Sequence, residues 1–397
     1  MKISYVIVTY NRIDALRRTL KRLHALVASG EAQDIWVIDN ASEDGTAEAV
    51  AAAFPDVHLI ARASNGGACA RTDAVGRATG DLLVFLDDDS YPLPGVVEAA
   101  VERFLRQPSL GLLGGAIELP DGSGEASALP VVPVACGMVA RHAALQEVGG
   151  FDRWMSRQAE EFDLAMRLLQ AGWGVERDAS LVFRHDKPAG QRASAAICKL
   201  DLRNNLVVAG RYLPADLAAA YRRDWVQRYS LIAESLDLEV SMDAAVAEAD
   251  EKLAAESRLV RQPLSAAAIE RVFGLEAQAR AVAAWSRRVE PRRVAIADFG
   301  KNLFATYEAC RRSGLEVVAV TERNPAFVGR FYREVPICAE DDALVMGADG
   351  VVLSTLHPAT IDDRVKALQG MYAAPILDFG SHEEDAAMGW QTQRGAA

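Results

Sequence analysis

The sequence predicts an α/β protein: a doubly wound, mainly parallel sheet, then a helical segment, then a second small α/β domain. Three observations carry that expectation. Apolar, strand-like runs alternate with amphipathic helical stretches from the first residues onward. After about residue 213 an Ala-, Glu- and Arg-rich stretch with almost no glycine takes over. At residue 294 a fresh apolar run, VAIAD, restarts the strand–helix pattern. With 397 residues the chain exceeds one ordinary core, and the predicted boundaries are 1–212, 213–290 and 291–382, with a tail at 383–397.

The first strand is predicted at 3–9 (ISYVIVT), followed by a helix over 13–28 that places Leu16, Leu20, Leu23 and Val27 on one face. A second strand at 35–39 (IWVID) leads to a helix from about Thr46. Strand 57–61, helix 67–78 and strand 82–86 complete the βαβα series. Residues 111–135, rich in Gly, Pro and Ser, predict strands joined by loops, and 160–173 a helix ending at Gly172. In such sheets ligands gather where strands end. The polar residues there are TYNR, DNASEDGT and DDDS.

Composition narrows the function classes. A net charge of -12 leaves no basic excess for nonspecific attraction to nucleic acid or an anionic membrane. The N-terminal segment has neither signal-peptide nor membrane-span character, and no apolar run reaches the roughly 18 residues a spanning helix needs, so a cytoplasmic protein is expected. Five scattered cysteines without a CxxC pair predict reduced, buried thiols rather than disulfides or a zinc site.

The run LVFLDDDSYP sets Asp87, Asp88 and Asp89 behind a buried strand, where like charges need a cation, hydrogen bonds or water. On an extended segment Asp87 and Asp89 project to one side, as hard oxygen ligands for Mg²⁺ or Mn²⁺. A solvated, capped turn is the other reading. Asp39 closes the second strand, where it suits either a pyrimidine imide or a helix cap, and Thr9 and Asn11 are open in the same way. The NGG turn beginning at Asn65, followed by Arg71, offers backbone donors and a cation to a diphosphate, or is a plain turn. Glu160, Glu161 and Asp163 share one helical turn, either as a general base with its neighbours or as an acidic first turn favoured by the helix dipole. His185 is a lone imidazole, structural or metal-binding.

Taken in order, VIVTYNR, VIDNASEDGT, SNGGACAR, GDLLVFLDDDSYP, GGFD, EEFDLAMRL and RH resemble the pattern of family 2 glycosyltransferases with the GT-A fold, over about residues 1–210. The resemblance implies a GT-A-type, Rossmann-like mixed sheet, a nucleotide-sugar donor (UDP- or dTDP-linked), a divalent metal and inversion at the anomeric carbon. It implies contacts from Thr9, Asn11 and Asp39 to the nucleoside, Arg71 near the diphosphate and Asp88 at the ribose or sugar. Asp87, Asp89 and His185 then serve Mn²⁺ or Mg²⁺. The family's ED pair falls on Glu160 and Glu161, with Glu161 as the base. The acceptor is a hydroxyl of a glycan, a lipid-linked or a small molecule, in bacterial cell-surface polysaccharide or glycoconjugate synthesis, with peripheral membrane contact as one setting. DLRNN (201–205) resembles a segment of galactofuranosyl- and rhamnosyltransferase-like members, or is a polar helix face.

Residues 294–380 read as a small Rossmann-type unit with Glu322 at the ribose position, yet DFGKNLFAT holds the single Gly300 where the fingerprint needs three glycines. Docking or self-association into a homo-oligomer is the expectation there. Two further readings stand beside transfer: a noncatalytic sugar-nucleotide sensor, and a nucleotidyltransferase. The latter calls for a Gly-rich loop after the first strand, and TYNRIDALRR has none.

Overall fold

The computed structural model describes residues 1–27, 33–125, 127, 129, 131–187, 194–256, 263–355 and 361–379. Residue 28, predicted to end the first helix, and the predicted tail at 383–397 lie outside them. The chain divides into two compact units, the first comprising Met1–Ser127 and Val131–Gln191, the second chiefly Arg192–Gln391.

The first unit is built on one mixed sheet. Its elements are β1 (Ile3–Thr9), α1 (Ile13–Val27), β2 (Gln33–Asp39), α2 (Thr46–Ala53), β3 (His58–Ala61), α3 (Thr72–Val75), β4 (Leu82–Asp87), β5 (Ser90–Pro92) and α4 (Val96–Arg106). Then follow β6 (Leu110–Glu118), β7 (Gly124–Glu125), β8 (Met138–Arg141), α5 (His142–Val148), α6 (Glu160–Gln170) and β9 (Gly174–His185). The strand order is β3-β2-β1-β4-β8-β6-β9-β5, with β7 beside β6. From β3 to β4 every pairing is parallel. β1 and β4 are buried along nearly their whole length, which is why they read as unbroken apolar runs, while β3 at the sheet edge is largely exposed. Beyond β4 the sheet turns mixed: β8 runs antiparallel to β4 and β6, β9 parallel to β6, and β5 antiparallel to β9. Leu16, Leu20 and Leu23 of α1 are fully buried in the core with Ile7, Val84 and Leu86.

Register sets the site. Thr9 pairs with Asp39 and Val8 with Asp87, so the ends of β1, β2 and β4 form one row. Ser90 of β5 pairs with His185 of β9, which carries a residue almost a hundred positions away to the aspartate triplet.

One expected element differs. The helix predicted at 67–78 is a 3-10 turn over Ala68–Arg71 followed by the single turn of α3. The amide of Cys69 is drawn to the carbonyl of Ser156 at 2.9 Å, and the Arg71 side chain is buried rather than on a helix surface. Gly67 sits at φ 65°, and a Cβ there would meet the Ser156 carbonyl oxygen at 2.5 Å, so this turn requires glycine.

The second unit opens with five helices: α7 (Ala195–Tyr212), α8 (Ala215–Ser235), α9 (Met242–Glu256), α10 (Ala266–Phe273) and α11 (Leu275–Val289). A sheet ordered β12-β13-β11-β10-β14-β15 follows. Its members are β10 (Arg293–Ala297), α12 (Leu303–Arg312), β11 (Glu316–Thr321), β12 (Phe331–Tyr332), β13 (Val335–Cys338), β14 (Gly350–Leu353), α13 (Ile361–Met371) and β15 (Ile376–Leu377). All pairings but β12–β13 are parallel. Glu322, at the ribose position of the sequence pattern, accepts from the amides of Phe299 and Asn324, both at 3.0 Å. Its carboxylate thus holds the strand ends of its own sheet. All five cysteines are buried and free. Among the described residues no helix is long and apolar enough to cross a membrane.

Candidate active site

The acidic triplet is the centre of the site. β4 ends on Asp87, the chain turns through Asp88 and Asp89, and β5 leaves at Ser90, whose hydroxyl accepts from the Asp87 amide and donates to the Cys136 carbonyl, both at 2.8 Å. The three carboxylates diverge. Asp88 points inward, where it accepts from the Thr9 hydroxyl at 2.9 Å and lies 2.9 Å from the Arg12 guanidinium. Burial pushes its pKa up to about 7, against the pull of Arg12. Asp89 meets Arg12 at 2.5 Å on Oδ2 and His185 Nε2 at 3.1 Å on Oδ1. Asp87 contacts Arg71, and its Oδ2 lies 3.9 Å from His185 Nε2.

His185 is oriented from behind. Its Nδ1 faces Glu125 Oε2 at 3.0 Å and Cys136 Sγ at 3.5 Å, and Glu125 is held in turn by Lys187 at 2.6 Å. That leaves Nε2 directed at Asp89 Oδ1 and, farther off, at Asp87, with Nε2 and Asp89 Oδ1 both buried and each facing the other. Burial acts to lower the His185 pKa, yet Asp89, Cys136 and Glu125 drive it up to about 12. Asp89, which burial alone would raise, is brought down to about 2 by His185 and Arg12. A buried imidazolium here stands where positive charge is demanded, and two carboxylates with an imidazole fit a divalent cation as well. Asp87, Cys136 and His185 also offer atoms within 4.8 Å of one another. Burial raises the Cys136 pKa and favours the neutral thiol, so the side chains here that could hold Mn²⁺ or Mg²⁺ are the carboxylates of Asp87 and Asp89 with the His185 imidazole. Glu125 orients the imidazole as second-layer carboxylates do.

The first turn of α6 brings its acids together unequally. Glu160 is buried, with Oε1 3.9 Å from Arg71, and burial raises its pKa. Glu161 is half-buried. Asp163 is fully buried and pairs with Arg167 at 2.8 Å, while Arg167 donates to the Val148 carbonyl at 2.7 Å. The expected catalytic trio therefore splits: Asp163 holds Arg167 within α6, and Arg167 joins that helix to the end of α5. Arg71, expected near a diphosphate, is 1% exposed and spans Asp87 and Glu160.

At the nucleoside side of the row, Asp39 is buried and accepts from the Ser42 amide at 3.3 Å. Asn11 takes φ 53° and accepts from the Glu43 amide at 2.7 Å, so it pins the two strand-end loops together. Asn65 is exposed and closes its turn by accepting from the Gly67 amide at 2.8 Å. Three residues of the site fall outside the sequence expectation: Arg12, Glu125 and Cys136. Arg12 closes the TYNR run itself, and its position three residues past the end of β1 was the available signal.

Residues 4–128 match the sequence model of the family described as glycosyl transferase family 2. Over those residues the chain is similar to the family 2 glycosyltransferases. The chain is 28% identical over 218 residues to the N-acetylglucosaminyl-diphospho-decaprenol L-rhamnosyltransferase of Mycobacterium tuberculosis (strain CDC 1551 / Oshkosh), covering 42% of this chain and 70% of that protein. It is 28% identical over 208 residues to the pre-mycofactocin glycosyltransferase of the same strain, covering 46% of this chain and 42% of that one. Among solved structures, residues 1–349 of S. aureus TarS in complex with UDP-GlcNAc align at 14% identity and a TM-score of 0.48, over 79% of this chain and 93% of that one. The family match includes the aspartate triplet, Arg12 and Glu125, and stops short of α6 and His185.

Proposed function

We propose that the transferase moves a sugar from a UDP- or dTDP-linked donor to a hydroxyl acceptor with inversion, in bacterial cell-surface polysaccharide or glycoconjugate synthesis. The supporting observation is the convergence of Asp87, Asp89 and His185 Nε2 beside the acidic first turn of α6. A divalent cation bound there supplies neutralisation of the charge that builds on the departing nucleoside diphosphate. Thr9, Asn11 and Asp39 line the strand ends where the nucleoside is read, and Asp88 sits one residue from the ligand set, toward the ribose or sugar. Glu161 takes the proton of the acceptor hydroxyl as its oxygen bonds to the anomeric carbon and the bond from that carbon to the diphosphate oxygen breaks. Glu160, engaged with Arg71, holds that turn in place. The name of the rhamnosyltransferase relative supports a lipid-linked acceptor and a rhamnosyl donor as first candidates.

Transfer assays across UDP- and dTDP-sugars, with Mn²⁺, Mg²⁺ or EDTA, test the reading. Glu161→Gln should lose about 10²–10⁴ in turnover while donor affinity stays within about twofold. Full turnover in that variant would remove Glu161 from the mechanism.

A further inference from the structure

The second unit contains a cavity of about 590 Å³ between α8 and α12, with Arg333 on its wall. That volume lies in the range of small-molecule sites. Four lining residues are arginines, Arg223, Arg311, Arg312 and Arg333, set against the acids Asp216, Asp224 and Glu308. In a chain of net charge -12 this is a local reversal of sign.

The cations differ in how they are engaged. Arg312 pairs with Glu276 at 3.2 Å. Arg333 adopts φ 54°, a strained value for a residue with a side chain, and its guanidinium lies 4.6 Å from the Tyr307 ring centre and 5.5 Å from those of Phe304 and Tyr332. Glu308 locks it further at 2.7 Å. Arg223 and Arg311, by contrast, are exposed and have no ion pair among the described residues. Asp224, 3% exposed, accepts from the Tyr332 hydroxyl, and Phe304 gives the cavity an apolar wall. Uncommitted guanidiniums suit a phosphate, carboxylates suit hydroxyl donors, and an aromatic wall suits the face of a sugar ring.

We propose that the α8–α12 cavity is a second ligand site, for a small phosphorylated sugar whose phosphate is taken by Arg223 and Arg311 and whose hydroxyls are met by Asp216 and Glu308. This site is independent of the transfer reaction proposed above. It is tested by calorimetric titration of glucose 1-phosphate into the full chain carrying Asp87→Ala and Asp89→Ala, in EDTA, so that the aspartate triplet cannot hold the phosphate through a cation. Binding is expected. Adding Arg223→Ala and Arg311→Ala should weaken it at least tenfold, with far-UV circular dichroism unchanged because both positions are exposed. Arg311→Glu alone should weaken it more than Arg311→Ala. Glucose and inorganic phosphate should each bind at least tenfold more weakly than glucose 1-phosphate. Absence of binding in the parent, equal affinity after the arginine substitutions, or inorganic phosphate matching the sugar phosphate would each overturn the assignment. Transfer assays on Arg223→Ala/Arg311→Ala with intact aspartates keep this outcome apart from that of the transfer reaction.

Discussion

Among the described residues Arg71 is the largest fully buried side chain, and it is charged. Its guanidinium contacts Asp87 and stands 3.9 Å from Glu160, so one buried cation joins the metal-side aspartate to the first turn of α6. Removing one member of a buried pair strands the other charge, which costs about 3–5 kcal/mol. Asp87 keeps 32% of its side-chain surface in water, so Arg71→Met is expected at the low end, about 3 kcal/mol, read from urea unfolding of the first unit. An unchanged midpoint would mean that the cation is not sustaining its two acids. Asp224 is the counterpart in the second unit. Burial raises its pKa, with the Tyr332 hydrogen bond and the Arg333 charge opposing. Folding therefore favours the proton on this group, and its contribution, full at acid pH, is lost as pH rises through the raised value. Asp224→Asn keeps an oxygen for the Tyr332 hydroxyl and removes the titration. Between pH 4 and pH 7 the wild type should lose stability relative to this variant, and parallel urea curves at the two pH values would contradict that.

At the scale of elements, the approach to α6 stores strain. Ser156, Gln158 and Ala159 take φ values of 61°, 70° and 57°, and Ala159 is the N-cap of the helix that carries Glu160 and Glu161. Each left-handed residue costs about 1–2 kcal/mol. Glycine at 159 would relieve that cost, but it gives up a buried methyl worth about 0.8 kcal/mol and about 0.5–1 kcal/mol of unfolded-state entropy. The terms nearly cancel, so Ala159→Gly should stay within about 1 kcal/mol of the wild type. Ala159→Val has no such offset, because a β-branched residue is excluded from this region, and it should lose about 2 kcal/mol or more by urea unfolding. Equal losses in the two variants would show that the left-handed cap is not what the position demands. None of this strain is visible in QAEEF, which reads simply as an acidic helix start. The misread helix at 67–78 has the same origin, since a carbonyl from residue 156 redirects the Cys69 amide.

Across the whole molecule, legibility follows the range of the interaction that fixes each feature. The parallel strands β1 and β4 were readable because burial on both faces writes an apolar run into consecutive residues. The antiparallel returns of β8 and β5 were not, because each depends on a partner dozens of residues distant. The site divides in the same way: Asp87 to Asp89 stand together in sequence, whereas Glu125, Cys136 and Arg12 reach them only through the fold. Such convergence concentrates acids beside His185, with Arg12, Arg71 and the imidazolium as compensating charges. A cation that binds only the folded state must then raise stability by mass action, by about 2.7 kcal/mol at a concentration one hundred times its Kd. At about 2–4 °C per kcal/mol for a unit of this size, Mn²⁺ should raise the melting transition of the first unit by roughly 5–10 °C. An excess of twelve negative charges also attracts cations loosely, so the deciding comparison is Asp87→Ala/Asp89→Ala, which leaves most of that excess in place. The shift should vanish in this variant. A shift of equal size would trace the stabilisation to the general charge of the surface and remove the triplet from metal binding.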